Sequence, residues 1–96
     1  MPRYSIVRNV PGATQEDVDA SSMRAIRRLA EYPKVKWIRS YWDQEAEQIR
    51  CIYDAPNEQM IRDHSANARI PCDDVREVAE FGPETYLAPS EASSLQ

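Results

Sequence analysis

Residues Trp37 to Pro56 constrain the fold of this chain more than any other stretch. Trp37-Ile38-Arg39-Ser40-Tyr41-Trp42 is rich in aromatic and β-branched side chains, and so is Gln48-Ile49-Arg50-Cys51-Ile52-Tyr53. The polar segment Asp43-Gln44-Glu45-Ala46-Glu47 separates them, and Asp54-Ala55-Pro56 ends the second run. Two such runs across a short polar connection predict an antiparallel hairpin. Both parities carry apolar groups: Trp37 and Tyr41 on one, Ile38 and Trp42 on the other, then Ile49, Cys51 and Tyr53 against Ile52. A strand with one wet face alternates more cleanly, so both faces of this hairpin are expected to be covered.

The remaining elements fall around it. Tyr4 to Val10 reads as a first strand ended by Pro11-Gly12. Thr14 offers an N-cap with Asp17 as its capping-box partner, opening a helix to about Glu31. Val18, Met23, Ile26, Leu29 and Ala30 are expected on its core face, with Arg24, Arg27, Arg28 and Glu31 on the solvated side. Pro56 fits the first turn of a second helix through Met60, Ile61, His64 and Ala68, closed at Ile70-Pro71. Val75 to Phe81 reads as a last strand, and Glu84-Thr85-Tyr86-Leu87 as a short edge strand or a docked tail. Residues 1–87 are expected to form a single domain, and the Pro-, Ser-, Glu- and Ala-rich residues 88–96 a flexible tail.

The order β, α, β, β, α, β is the split βαβ plan of an α+β, ferredoxin-like sandwich. Both helices lie on one face of a four-stranded antiparallel sheet. The doubly apolar hairpin implies that the open face is covered by a second copy, in a face-to-face dimer of the dimeric α/β-barrel type.

Charge and composition narrow the function. A net charge of -4 argues against nucleic acid as a partner, because phosphate binding needs a basic surface. No apolar run reaches the roughly 18 residues of a membrane span, and Met1 to Arg8 has no apolar signal core, so a cytoplasmic protein is expected. The two cysteines do not make a disulfide framework. The acidic groups Asp43, Glu45, Glu47 and Glu16, Asp17, Asp19 read as solvation and helix capping, with weak collection of a divalent cation as the alternative. Only two glycines are present, so no phosphate loop or nucleophile elbow can be written.

His64 is the lone histidine and shares a helix face with Met60, Ile61 and Ala68. Such a residue is either a core histidine bonded to a backbone carbonyl or a functional group meeting Cys51, Tyr53 or Tyr41 between helix and sheet. In the second case it could ligate a borderline transition metal or act as acid and base. No HxxxH, CxxC or HExxH spacing supports a closed metal site.

The run Trp37-Ile38-Arg39-Ser40-Tyr41, then Cys51-Ile52-Tyr53-Asp54-Ala55-Pro56, Ile61-Arg62-Asp63-His64, Ile70-Pro71 and Val75-Arg76-Glu77-Val78 resembles a family of small bacterial proteins. These are known as a domain of unknown function and as nickel-binding-protein-like. The opening Met1-Pro2-Arg3-Tyr4 is similar too, while Pro11 to Asp17 departs from the pattern. The resemblance implies a ferredoxin-like subunit, a homodimer and, in at least one branch, nickel ions bound at the dimer surface. The first reading is accordingly a homodimer that binds nickel(II) or another divalent transition metal, without an organic cofactor and without catalysis. His64 with Cys51 or Asp54 would be the candidate ligands. The rival reading is a cofactor-free enzyme or small-molecule binder. There Tyr4, Trp37, Tyr41 and Tyr53 enclose a small apolar ligand at the dimer's sheet face, and His64 serves as acid or base beside a Tyr41 or Tyr53 hydroxyl or Arg39.

Overall fold

The first strand sets the geometry. β1 (Arg3–Asn9) alternates so that Tyr4, Ile6 and Arg8 face the helices and Arg3, Ser5 and Val7 face away. It runs through the middle of a four-stranded antiparallel sheet of order β2-β3-β1-β4, where β2 is Lys36–Asp43, β3 is Gln48–Asp54 and β4 is Asp74–Val78. Helices α1 (Gln15–Arg28) and α2 (Glu58–Ala68) cover one face. This is the ferredoxin-like α+β plan expected from the element order. The structure, a computed structural model, describes residues 1–87, and the tail expected over residues 88–96 lies outside them.

Local chemistry starts and stops these elements as expected. The Thr14 hydroxyl accepts from the Asp17 N–H and the Asp17 carboxylate accepts from the Thr14 N–H, closing the capping box. α1 tightens into a 3₁₀ turn at Leu29–Glu31 before Pro33. Asn57 caps α2 by accepting from the Met60 N–H, so Pro56 precedes the cap instead of lying in the first turn. Arg69 ends α2 in the left-handed region at φ 57°.

The hairpin departs from simple alternation at one residue. A β-bulge shifts the register between Trp37 and Arg39, so Trp37 opposes Tyr53 while Arg39 opposes Ile52, Ser40 opposes Cys51 and Trp42 opposes Ile49. The extra residue reverses the parity of everything after it. Trp37, Ser40 and Trp42 therefore share the helix-covered face with Ile49, Cys51 and Tyr53. Tyr41 points the other way and is exposed. Parity alone had placed Trp37 with Tyr41.

This overturns the expected aromatic open face. That face carries Arg3, Arg39, Arg50 and Arg76 with Asp54 and Asp74, and among aromatic residues only Tyr41 of the hairpin. Arg3 grips Asp54 through Nε and Nη2 at 2.8 and 2.9 Å, and Arg50 donates to the Ser5 hydroxyl at 2.7 Å. The bulge sends both tryptophans to the covered side, while Val7, Tyr41, Ile52 and Val78 remain as the apolar groups of the open face.

Three smaller corrections follow from packing. Met23, Ile26 and Ala30 are exposed, and the inward face of α1 runs through Val18, Ser22 and Ala25 and continues at Leu29 in the 3₁₀ turn. β4 stops at Val78 because its partner Arg3 is the first residue of β1, leaving nothing to pair with residues 79–81. Pro83–Tyr86 forms a single helical turn (α3), not an edge strand: Pro83 favours a first helical turn, and the Thr85 hydroxyl accepts from the Gly82 N–H.

Candidate functional site

Small residues on α1 face large ones on the hairpin, and the space between them is a cavity of about 190 Å³. α1 contributes Val18, Ser21, Ser22 and Ala25, whose short side chains cannot fill the gap. The sheet contributes Trp37, Trp42, Ile49 and Tyr53 as apolar walls, with Ser40, Cys51 and Arg8 as polar groups. Val10, Ile70 and Pro71 complete the lining. An apolar cavity of about 150 Å³ holds a benzene molecule, so one aromatic ring with a small substituent is the natural size here.

Arg8 decides the electrostatics of this cavity. It is 4% exposed, and no carboxylate pairs with it among the described residues. Its Nη1 donates to the Ser65 hydroxyl at 3.0 Å and to the Pro71 carbonyl, and its Nε donates to Cys51 Sγ at 3.3 Å. The guanidinium carbon lies 5.7 Å from the centre of the Tyr53 ring, a cation–π contact. Nη2 is buried and has no hydrogen-bond partner among the described residues. A second relay meets the same sulfur: Trp37 Nε1 donates to the Ser40 hydroxyl at 2.8 Å, and Ser40 donates to Cys51 Sγ at 2.9 Å. Cys51 is thus the acceptor of two donors on the cavity wall.

The cavity brings some of the expected site residues together and leaves others out. Trp37, Tyr53 and Cys51 line it. Tyr4 is buried on the same side of the sheet but does not line it, and Tyr41 and Arg39 are on the opposite face. His64 is fully buried behind the cavity, with its ring at 5.9 Å from that of Tyr53 and edge-on to Tyr32 at 5.7 Å. Its Nε2 donates to the Ala25 carbonyl at 2.9 Å, while Nδ1 has no partner among the described residues. Burial, assisted by the nearby Arg8 charge, pushes its pKa down against the opposing effect of the Ala25 carbonyl. The ring is a neutral structural link between α2 and α1.

A metal fits this arrangement poorly. Among the described residues no group of three or more His, Cys, Asp or Glu side chains could hold an ion. Asp54 lies on the open face, where its bond to Arg3 holds its carboxyl below the usual range. Cys51 lies on the covered face with a guanidinium against its sulfur, which repels a cation. His64, Cys51 and Asp54 therefore do not converge on one point.

Arg8, Ser40 and Trp42 are the residues that sequence reasoning missed. Arg8 left one signal, since it shares the apolar parity of Tyr4 and Ile6 on a central strand. Trp42 left none, because the bulge that turns it inward has no marker in the sequence.

A family model for the nickel-responsive, SCO4226-like proteins matches residues 4–78. The crystal structure of SCO4226 from Streptomyces coelicolor A3(2) superposes with a TM-score of 0.73 at 16% identity, covering 83% of this chain and 99% of that one. At that identity the likeness is one of fold. No curated protein matches the chain. Among the described residues no helix is long and apolar enough to cross a membrane.

Proposed function

The chain belongs to the SCO4226-like family of nickel-responsive proteins, and from that premise we propose that it is a non-catalytic cytoplasmic binding module whose ligand is a small organic molecule. The cavity between α1 and the hairpin carries this reading: it is ring-sized, walled by two tryptophans and a tyrosine, and furnished with a few buried polar groups. Ligand sites combine apolar walls and sparse polar groups in this way. His64 takes no acid–base role in it, since the ring is sealed from the cavity and bonded to a carbonyl.

Benzyl alcohol serves as a neutral probe. Titrated into ¹⁵N-labelled protein, it is expected to move the indole N–H signals of Trp37 and Trp42 with saturable, millimolar affinity. Val18→Trp, which fills the cavity from α1, is expected to abolish those shifts while retaining a cooperative fold. Unmoved indole signals in the natural protein would remove this function.

We propose as a second reading, prompted by the nickel-responsive description of the family, that the protein binds nickel(II) as a homodimer. Because one chain offers no three-donor group among the described residues, the ligands would have to come from two copies. Sedimentation of metal-stripped protein with and without nickel tests this directly. A nickel-dependent shift from an 11.1 kDa species to twice that mass supports it, and a monomer that takes up no nickel ends it.

A further inference from the structure

The cavity and its buried arginine fit together into a more specific recognition site. Arg3 shows what the Nε/Nη2 edge of a guanidinium does when an acid is available: it takes both oxygens of Asp54 at 2.8 and 2.9 Å. Arg8 turns the same edge toward Cys51 Sγ, which fills the Nε position at 3.3 Å, and leaves Nη2 without a partner among the described residues. A buried cation lacking an anionic partner is costly, and an unpaired donor on it adds to the cost. The groups around Arg8 are a thiol, a hydroxyl, a carbonyl and the face of Tyr53, none of them a carboxylate. Arg8 and Cys51 both line the ring-sized cavity.

We infer that the cavity binds a small monocyclic aromatic carboxylate, with the ring between the tryptophans and α1 and the carboxylate on Arg8 Nη2. The inference rests on the ligand-binding reading above and adds the charge and class of the ligand. With Nε held by Cys51 Sγ and Nη1 by Ser65 and Pro71, the carboxylate would take one charge-assisted hydrogen bond from Nη2, which supplies strength and one fixed contact point.

Calorimetric titration of the full chain with benzoate, benzyl alcohol and benzamide tests it. Benzoate is expected to bind about tenfold or more tightly than either neutral probe, because a hydrogen bond to a charged group outweighs a neutral one. That preference is expected to fall to near unity in Arg8→Gln. Since Arg8→Gln could unfold the chain, Arg8→Lys and a salt series on the natural protein give independent readouts. Arg8→Lys keeps the charge but loses the Nη2 donor and its position, so it is expected to retain benzoate binding several-fold weakened. Benzoate should also raise the melting temperature of the natural protein where equimolar benzyl alcohol raises it little. Equal affinity for benzoate and benzyl alcohol would overturn the carboxylate inference and leave the cavity reading standing. Silence with all three probes would overturn both. Benzoate binding unchanged in Val18→Trp would place the anion elsewhere and overturn the inference as well.

Discussion

Tyr53→Ala is expected to remove a large share of the stability of this domain, about 3–5 kcal/mol by the usual cost of truncating a buried aromatic residue. A domain of this size has roughly 5–15 kcal/mol in reserve, so the variant should melt at a clearly lower temperature and denature at a clearly lower urea concentration. Tyr53 is 1% exposed and touches three partners of different chemistry. Its ring stacks on Trp37 with centroids 6.5 Å apart and planes at 13°, tilts against His64, and faces the Arg8 guanidinium. Removing it opens a cavity beside the one already present and leaves Arg8 without its aromatic support. Burial holds the phenol neutral, with its pKa pushed up to about 12, so the hydroxyl carries no charge to lose. Tyr53→Phe is therefore expected to stay within about 1 kcal/mol of the natural protein. Urea denaturation of both variants checks the pair. A Tyr53→Ala midpoint close to that of Tyr53→Phe would mean that the ring does not hold the hairpin to the helices.

The second large effect is a loss of stability on mild acidification, driven by His64. The folded protein holds this ring below its ordinary pKa, first through burial and then through Arg8. The unfolded chain, with a pKa near ~6.5, binds the proton first as pH falls. Protons then favour the unfolded state, so stability is full above the unfolded pKa and declines as pH drops through and below it. The slope is at most about 1.4 kcal/mol per pH unit for one proton, and it persists down to the folded pKa. Charging the folded ring would also set a second cation near Arg8. Asp17 and Asp54, both held below the usual carboxylate range by hydrogen bonds, contribute stability that is lost only at lower pH, below ~4. The interval from pH 7 to 5 therefore isolates the histidine. Urea midpoints across that interval should fall steadily in the natural protein and stay level in a folded His64→Asn variant. A flat profile in the natural protein would contradict the neutral, buried ring.

Much of the fold was legible because it is written in short-range chemistry. The capping box at Thr14 and Asp17, the breakers at Pro11-Gly12 and Ile70-Pro71, and the two aromatic runs each act within a few residues. Their order suffices for the split βαβ plan. The face assignment of α1 went wrong at Met23 and Ile26 because small residues, Ser22 and Ala25, occupy the buried positions and carry little hydrophobic signal. The position of His64 on the inward face of α2 was readable from spacing, whereas its bond to the Ala25 carbonyl, far away in the chain, was not. The aromatic residues proposed as one ligand surface were separated for a similar reason. One unpaired residue in β2 sends Tyr41 outward and Trp42 inward.

The sequence by itself determined the four strands, the two main helices and their order, since caps, breakers and alternation are local properties that survive without knowledge of the partner strand. Tertiary structure decided the site. A strand's alternation is counted from a register, and the bulge between Trp37 and Arg39 resets that count only once β3 is in place. The cavity exists because α1 crosses the sheet with its small residues over Trp37 and Trp42. Arg8 became a recognition group only when packing enclosed it beside Cys51 and brought no carboxylate to meet it. Such juxtapositions join residues 43 and 57 positions apart, and no local rule of chain chemistry reaches that far.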